Sequence, residues 1–335
     1  MSSAPPADEL WRDARWLVQA LDPKAGLVRL VQMTPQAYAQ ASFLDDRMFQ
    51  QPRTSRLVPW DAVADTMPQR ARADARWIFH IGHVGSTLVA RLLGELEGVL
   101  SIREPRALRD LTFFPAEVRE RFVPVLPALL SRTFGPSQTA LVKATSMVSE
   151  LAGEIVPAGE RALFMYTEPR SYIAGILAGE NSRKELAGMS ELRRQRLARR
   201  DIEFGTPRHE ADLAAAAWAC EMTTLEGVEP ASRQFLWMDF DGMLEDMERA
   251  LADTARFFGF QATDAQLIEI ASGPLMRRYS KALDHDYSPA LRRDLLAQAE
   301  REHGASIREA LVMLEDAAQE SPLLTRAMAR TNPEA

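Results

Sequence analysis

The chain has 335 residues, of which 46% are hydrophobic and 26% are charged, and its formal net charge is −7. These values are those of an ordinary globular protein with one large domain or two small ones. The acidic balance argues against nucleic acid as the main partner, because surfaces that bind nucleic acid are basic.

The cysteine content and the lengths of the apolar runs indicate the cellular compartment in which we expect the protein. A single cysteine, Cys220, excludes an internal disulfide and fits a reducing environment. The first residues contain no apolar run of the kind found in secretory signals, and no run in the sequence is long enough to span a bilayer. We therefore expect a cytoplasmic protein without a membrane span.

Residues 1–75 are expected to form a helical cap that packs on the main domain. The spacing of apolar residues predicts an amphipathic helix from Asp8 to Leu21. The stretch from Leu27 to Met33 is predicted to be an edge strand. Ser42 to Arg47 is expected to be a loop, and one interpretation is that this loop lines a substrate pocket.

The most informative stretch follows the cap. It begins with the apolar run Trp77-Ile78-Phe79, which is typical of a buried parallel strand, and a loop with Gly82 and Gly85 comes next. The leucines after the loop share one face of a predicted helix. Such a loop points several backbone N–H groups at one place, and the helix dipole adds partial positive charge. The pattern therefore predicts a phosphate or sulfate site.

The loop does not match the common nucleotide-binding motifs. The phosphate-binding motif GxxxxGK[ST] has glycines five positions apart and a lysine before the hydroxyl residue. Gly82 and Gly85 are three positions apart, and no lysine precedes Ser86. The dinucleotide motif GxGxxG is also absent. What remains is the hydroxyl-rich sequence Gly85-Ser86-Thr87 at the start of a helix.

At these residues the sequence resembles the sulfotransferases, whose phosphosulfate loop is approximately [KR]-S-G-T-T-L at the same strand–loop–helix position. The co-substrate of that family is 3′-phosphoadenosine 5′-phosphosulfate (PAPS). His83 occupies the position of the family's Lys or Arg, which stabilises charge on the leaving oxygen, and a free histidine has a pKa of about 6.5. The resemblance implies that PAPS is bound by Val84, Gly85, Ser86, Thr87 and Leu88.

The resemblance extends beyond the next predicted strand, which begins at Val99. In tyrosylprotein-type sulfotransferases a catalytic glutamate lies there in an E-x-R context, and Glu104-Pro105-Arg106 occupies the same place in this chain. The resemblance implies that Glu104 takes the proton of the acceptor and that Arg106 orients Glu104 or the acceptor. A plain ion-pair role for Glu104 is the alternative.

Lys143 ends the predicted strand that begins at Thr139. In doubly wound sheets ligands bind outside the carboxyl ends of the strands. We therefore predict that Lys143 supplies the constant positive charge that is missing at His83. The alternative is a surface lysine that only closes a strand.

A second family motif follows the predicted strand from Arg161 to Tyr166. The segment from Thr167 to Arg170 resembles R-[DN]-P-R-[DE], which binds the 3′-phosphate of the co-substrate. Arg170 matches the second basic residue and is predicted to bind the co-substrate. However, Thr167 replaces the leading arginine, and Gly175 replaces a serine that shares the phosphate.

Two further groups leave alternatives open. Arg193, Arg196 and Arg200 share a helix face, which is either a solvated basic face or a lid over the co-substrate. Asp239 and Asp241 follow an apolar strand; we interpret them as caps of the next helix, and the alternative is a magnesium site.

The C-terminal third is predicted to be helical, with its last two helices spanning residues 289–303 and 306–319. A polar loop precedes these helices and contains Arg277, Arg278 and Lys281. It resembles a basic loop that closes over the co-substrate in the wider family, so Lys281 is predicted to bind the co-substrate. A solvated connector is the alternative.

The alternation of predicted strands and helices indicates an α/β fold. We expect a P-loop NTPase-like parallel sheet flanked by helices in residues 76–260, with an N-terminal helical cap and a C-terminal helical subdomain in residues 261–335. The resemblance implies transfer of a sulfuryl group from PAPS to a hydroxyl or amine of a small-molecule or peptide acceptor, without a metal. The alternatives are a P-loop kinase-like phosphotransferase that uses Mg-ATP and a non-catalytic nucleotide-binding protein of the same fold.

Overall fold

Two β-sheets organise the protein. A computed structural model describes residues 4–228, 233–277 and 288–331. Within these residues a five-stranded parallel sheet and a three-stranded antiparallel sheet are present. Helices cover the parallel sheet, and the antiparallel sheet belongs to the N-terminal segment.

The N-terminal segment is built on a sheet, so the prediction of a helical cap was wrong. Its strands are β1 (Trp16–Asp22), β2 (Leu27–Gln32) and β3 (Ser55–Pro59), with β2 in the middle. The stretch predicted as an edge strand is therefore a central strand. Three short helices accompany this sheet: α1 (Ala7–Arg12), α2 (Pro35–Gln40) and α3 (Asp61–Ala64).

The predicted helix from Asp8 to Leu21 ends early for a local reason. The Asp13 carboxylate accepts a hydrogen bond from the Arg15 backbone N–H (2.9 Å), and such a side-chain contact competes with helical hydrogen bonding. The apolar run that follows is buried on both faces, so its periodicity does not distinguish a helix from a strand. A turn with Gly26 at φ +63° then returns the chain so that β2 pairs with β1.

The parallel sheet confirms the predicted α/β class. Its strands lie in the order β5-β6-β4-β7-β8, and every neighbouring pair is parallel. The strands are β4 (Arg76–His80), β5 (Val99–Arg103), β6 (Thr139–Lys143), β7 (Arg161–Tyr166) and β8 (Gln234–Asp239). The chain builds one side of β4 with β5 and β6, and then the other side with β7 and β8. The direction of sheet growth thus changes at β4, where ligands bind in such sheets.

Helices fill the connections between the parallel strands. They are α4 (Ser86–Leu93), α5 (Arg106–Thr112), α6 (Ala116–Arg119), α7 (Leu126–Leu130), α8 (Ala152–Ile155), α9 (Pro169–Leu177), α10 (Glu180–Ala198), α11 (Glu210–Glu226), α12 (Phe240–Glu245) and α13 (Met247–Phe258). Short 3₁₀ helices span Asp46–Gln50, Ser146–Leu151 and Pro274–Arg277.

The C-terminal part is helical, as predicted, but its boundaries differ. It consists of α14 (Asp264–Ser272), α15 (Pro289–Glu320) and α16 (Pro322–Ala329). The two helices predicted before and after Gly304 are thus one helix of 32 residues. A glycine inside a helix costs only about 1 kcal/mol, and the burial of Ile307, Ala310 and Leu314 after it outweighs that cost.

The N-terminal sheet is joined to the parallel sheet by buried polar contacts. Arg132 is buried and donates hydrogen bonds to the backbone carbonyls of Leu10 and Trp16. The Leu44 N–H donates to the carbonyl of Arg103 (2.8 Å), and Arg103 is the last residue of β5. The segment around Leu44 therefore lies beside the carboxyl end of the parallel sheet. No helix in the described ranges is long and apolar enough to cross a membrane.

Candidate active site

A cleft of about 830 Å³ opens at the carboxyl ends of the parallel strands. The loop between β4 and α4 lines it, and because β4 is the central strand, the cleft has a wall on each side of this loop. Elements that follow β5 and β6 form one wall, together with residues 43–47. Elements that follow β7 and β8 form the other wall, together with α15.

The loop turns sharply, and its glycines are required. Gly82 has φ +90°, His83 φ +57° and Gly85 φ +63°. The ring of Phe240 fills the space that a side chain on Gly85 would need. The N–H groups of the first turn of α4 have no carbonyl partner within the helix, so they are available to an anion that the loop surrounds.

His80 fastens the loop to the neighbouring strand. Its Nδ1 accepts a hydrogen bond from the Gly82 N–H (3.0 Å), and its Nε2 lies 3.0 Å from the Ala144 carbonyl oxygen. This pair of contacts requires a neutral ring that donates from Nε2. Sequence reasoning missed this residue. The available signal was a single polar residue at the end of an otherwise apolar strand.

Two buried hydroxyl groups of the cleft have no hydrogen-bond partner in the described structure. They are Oγ1 of Thr87, on the first turn of α4, and Oγ1 of Thr145, just after β6. A buried hydroxyl without a partner costs free energy. A bound group with several oxygen atoms, such as phosphate or sulfate, would remove that cost.

Glu104 contributes a carboxylate to the same cleft, at the end of β5. Its backbone has φ +50°, which is unusual for a residue with a Cβ, and its N–H donates to the Lys143 carbonyl (2.7 Å). The side chain is only 10% exposed. Lys143 Nζ donates to one carboxylate oxygen, and Arg47 donates to the other at 3.4 Å. Two cations thus hold the carboxylate in the wall of the cleft.

The residues predicted to bind the reacting group lie together. His83, the loop residues 84–88 and Glu104 line one cleft. Lys143 lies behind Glu104, is 1% exposed and does not line the cleft. Its amino group therefore contacts the carboxylate of Glu104 from the protein interior. Nothing in the described structure tests the roles that were predicted for these residues.

The remaining predicted site residues lie outside the cleft lining or outside the described residues. Arg106 donates to Asp46 (2.6 and 2.7 Å) and to Asp110 (3.2 Å). Arg170 donates to Glu300 of α15 at 3.2 Å. Neither arginine lines the cleft. Lys281, which was predicted to bind the co-substrate, lies outside the described residues.

The segment from Ser42 to Arg47 lies in the cleft wall, in agreement with one interpretation of the sequence. The Arg47 guanidinium stacks on the Phe43 ring, 3.4 Å from its centroid, and donates to Asp45 at 2.7–3.0 Å. Its contact with Glu104 was not expected. Only the packing of the N-terminal segment on β5 brings these two residues together.

A basic residue from the C-terminal helix completes the opposite wall. Arg292 lies across from Gly175 and over the Phe240 ring, 4.7 Å from its centroid. Asp241 accepts hydrogen bonds from Arg292 (2.8 and 3.1 Å) and from the Thr167 hydroxyl (2.6 Å). An arginine is therefore present near the two positions where the family motif lacks its usual residues. Sequence reasoning missed Arg292 because it belongs to a distant helix.

The acidic pair after β8 has structural contacts. Asp239 caps α12, because its Oδ2 accepts the Gly242 N–H at 2.7 Å, in agreement with the predicted capping role. Burial, together with Asp241 and Glu168, raises the pKa of Asp239. Across the described ranges, no group of three or more candidate ligand side chains could hold a metal ion.

The basic helix face predicted to be solvated is buried. Arg193 of α10 contacts Glu221 at 3.4 Å, Arg196 contacts Glu150 at 3.6 Å, and Arg200 donates to Glu150. Arg193 and Arg196 are buried between α10 and its neighbours. These arginines therefore hold helices together, because each faces a carboxylate from another element.

Several solved structures are similar to this chain. No family model and no curated protein matches the chain. A sulfotransferase domain from the curacin biosynthetic pathway matches with 12% identity over 68% of this chain and 89% of that chain (TM-score 0.38). A sulfotransferase domain from the Synechococcus PCC 7002 olefin synthase matches with 14% identity over 70% and 88% (TM-score 0.38).

A third match is the mouse sulfotransferase SULT7A1 complexed with PAP, with 11% identity over 77% of this chain and 89% of that chain (TM-score 0.36). The resemblance is to sulfotransferases. The similarity suggested by the loop sequence is thus found again among solved structures. At these identities and TM-scores, however, the matches establish neither the reaction nor the acceptor of this chain.

Proposed function

We propose that the protein is a PAPS-dependent sulfotransferase that acts on a hydroxyl or amine of a small-molecule or peptide acceptor. The observation that carries the proposal is the presence of an anion-binding loop and a held carboxylate, Glu104, in one cleft. The unpartnered Thr87 hydroxyl supports it, because it lies where the loop would surround an anion.

The sheet order divides the cleft between the two substrates. The reacting sulfuryl group belongs at the loop after β4. The acceptor must reach Glu104, so it belongs on the side of β5 and β6. The nucleoside of PAPS then belongs on the side of β7 and β8, where Arg292 supplies positive charge.

Sulfuryl transfer requires mainly positioning and stabilisation of charge. The backbone N–H groups of Val84 to Leu88, with the hydroxyls of Ser86 and Thr87, would hold the phosphosulfate. His83 would stabilise the leaving phosphate oxygen. Glu104 would accept the proton of the acceptor, which contributes about 10²–10⁴-fold to the rate. Lys143 and Arg47 would position Glu104 through the contacts that they make with its carboxylate.

The 3′-phosphate of the co-substrate needs a cation. Arg292 is our first candidate because it lines the cleft opposite Gly175. Arg170 remains a predicted ligand although it does not line the cleft. Each arginine already donates to a carboxylate, Arg292 to Asp241 and Arg170 to Glu300, and would have to exchange it for the phosphate. Lys281 also remains a prediction.

A kinase-like phosphotransferase is the less favoured alternative. It would require Asp239 or Asp241 to bind magnesium. Asp239 caps α12 and Asp241 is bonded to Arg292 and Thr167, so both carboxylates already have partners. The loop also lacks the lysine that such enzymes direct at the terminal phosphates.

The experiment that tests this function is ligand-induced thermal stabilisation. A ligand present at about 100 times its Kd stabilises the folded state by about 2.7 kcal/mol. We expect adenosine 3′,5′-bisphosphate to raise the melting temperature without magnesium. A rise with Mg-ATP alone would indicate a phosphotransferase, and no rise with either ligand would contradict nucleotide binding.

The nucleoside side of the cleft is tested with a paired variant. Wild-type protein should bind adenosine 3′,5′-bisphosphate about 10-fold or more tightly than adenosine 5′-monophosphate, because a charged hydrogen bond is lost with the 3′-phosphate. Arg292→Gln should remove most of this difference. Arg301→Gln, an exposed arginine of the same helix, should keep it. An unchanged preference in Arg292→Gln would exclude Arg292 as the 3′-phosphate ligand.

A further inference from the structure

One arginine on the Glu104 side of the cleft has no close carboxylate partner in the described structure. Arg109 of α5 lines the cleft, and its side chain is 36% exposed. Its ion-pair contact, with Asp45, has an N–O distance of 4.0 Å. At that distance the interaction is weak compared with a direct hydrogen bond. The guanidinium therefore retains the capacity to bind an anionic group in the cleft.

The cations in and behind this wall, Arg47, Arg106 and Lys143, are already bound to carboxylates. Arg47 donates to Asp45 and Glu104. Arg106 donates to Asp46, and this contact lowers the pKa of Asp46 although burial opposes the change. Lys143 donates to Glu104 from the interior. A ligand that displaced any of these cations would leave a carboxylate without its partner, whereas a ligand that bound Arg109 would not.

An apolar surface continues from Arg109 along α5. Phe113 directly follows this helix, one turn after Arg109, and its exposed fraction is 65%. Met147, which also lines the cleft, lies beside the end of α5, because its sulfur is 3.8 Å from the Thr112 hydroxyl. This side of the cleft therefore offers the Glu104 carboxylate, the Arg109 cation and the apolar side chain of Met147, and Phe113 is exposed next to it, outside the cleft lining.

We propose that the acceptor is an amphipathic hydroxy or amino compound that carries a carboxylate. Arg109 binds this carboxylate, and the apolar part of the acceptor lies on Met147 and Phe113. The inference rests on the proposed function of the cleft and specifies its substrate class. A singly charged carboxylate fits better than a phosphate dianion, because one guanidinium is available and Asp46 and Glu104 lie on the same wall.

The test measures binding, so it does not require the true acceptor. The probes are 4-phenylbutanoate and its amide, 4-phenylbutanamide, titrated by calorimetry into the full chain with and without adenosine 3′,5′-bisphosphate. Wild-type protein should bind the acid about 10-fold more tightly than the amide, as expected for one charged hydrogen bond. Arg109→Gln should abolish the difference, and Arg109→Lys should restore part of it.

Two matched controls separate the site from general surface effects. Arg121→Gln removes an arginine that pairs with Asp61 and does not line the cleft, and it should keep the acid–amide difference. Phe113→Ala should weaken both probes severalfold, whereas Val312→Ala, which removes an exposed apolar side chain of α15, should weaken neither.

Two results would overturn the inference. One is equal affinity of wild-type protein for the acid and the amide, and the other is an unchanged preference in Arg109→Gln. The bisphosphate titration separates this inference from the proposed function. If the bisphosphate binds and the acid is not preferred, only the carboxylate acceptor is wrong. If the acid is preferred through Arg109 and no bisphosphate binds, the organic-acid site stands and the sulfotransferase proposal fails.

Discussion

Glu104 occupies a backbone conformation that costs free energy. A non-glycine residue with φ near +50° is held there at a cost of about 1–3 kcal/mol, which the surrounding contacts must offset. The N–H of Glu104 and its carboxylate both contact Lys143, so one partner fixes both the backbone and the side chain. This arrangement directs the carboxylate into the cleft rather than towards solvent.

The role of Glu104 as the base is tested by Glu104→Gln, which keeps the size of the side chain. We expect turnover to fall by about 10²–10⁴-fold, because the amide does not accept the acceptor's proton. The Kd for adenosine 3′,5′-bisphosphate should stay close to the wild-type value. The rate is measured as release of the bisphosphate from PAPS with an acceptor that wild-type protein uses.

Glu117→Gln is the matched control, because Glu117 is an exposed glutamate of α6 that does not line the cleft. Its turnover should remain near that of the wild-type protein. Wild-type turnover in Glu104→Gln would remove Glu104 as the base and leave the ion-pair role.

Gly85 is the residue at which the loop tolerates change least. In Gly85→Ala the new methyl group collides with the ring of Phe240. The alanine must also adopt a backbone φ of +63°, which is unfavourable for a residue with a Cβ. The conformation alone costs about 1–2 kcal/mol. We expect a lower melting temperature and loss of bisphosphate binding, as measured by thermal unfolding with and without the ligand.

Gly188→Ala controls for the substitution itself. Gly188 lies in α10, and a methyl group there would meet no atom within 4 Å. This variant should gain up to about 1 kcal/mol, because alanine favours a helix more than glycine does. Undiminished ligand binding by Gly85→Ala would show that the loop does not bind the anion.

At the scale of elements, the packing of α10 and α11 depends on buried ion pairs. Glu150, from the 3₁₀ helix after β6, accepts hydrogen bonds from Arg200 and from the Thr224 hydroxyl (2.9 Å). Burial opposes the charged form, yet Arg200 and Arg196 hold the pKa of Glu150 below its ordinary value of 4.5. The carboxylate therefore joins three elements, and its charge is part of their contact.

This pKa shift predicts a pH dependence of stability. Because the pKa of Glu150 is lower in the folded protein than in the unfolded chain, its contribution is complete above pH 4.5 and is lost as the pH falls through the folded value. Glu150→Gln should reduce the free energy of unfolding by about 1.5–3 kcal/mol at pH 7. The difference from wild type should shrink in acid, as measured by urea unfolding across the pH range.

Glu191→Gln is the control on the same helix. Glu191 forms an exposed pair with Arg194, and such pairs contribute little to stability because solvent screens them. Equal stability of Glu150→Gln and wild type at pH 7 would contradict a structural role for the buried pair.

At the scale of the whole molecule, both sheets contribute to one continuous apolar core. Trp16 and Trp60 of the N-terminal segment and Trp77 and Trp218 of the α/β part belong to the same buried cluster. We therefore expect one cooperative transition in scanning calorimetry, with a calorimetric enthalpy equal to the van't Hoff enthalpy. A separate transition for residues 1–75 would show that the segment folds as an independent unit. The domain boundaries after residues 75 and 260 remain predictions.

The sequence alone determined the parts of this protein that depend on neighbouring residues. Each of the five parallel strands was predicted at its position, and the loop from Gly82 to Thr87 was predicted to be an anion site. Such features are local, because strand preference, glycine conformation and the start of a helix depend on a few adjacent residues. Glu104 was predicted to be the base from the resemblance of its E-x-R context, and this role remains a prediction.

Only the tertiary structure decided which distant residues meet. It placed Arg47 on Glu104, Lys143 behind Glu104 and Arg292 opposite Gly175. It also made the segment from Trp16 to Asp22 a strand, because a run buried on both faces has no period that distinguishes a strand from a helix. Contacts between residues far apart in the chain depend on the order of strands and the packing of whole elements, and no local pattern in the sequence encodes that order.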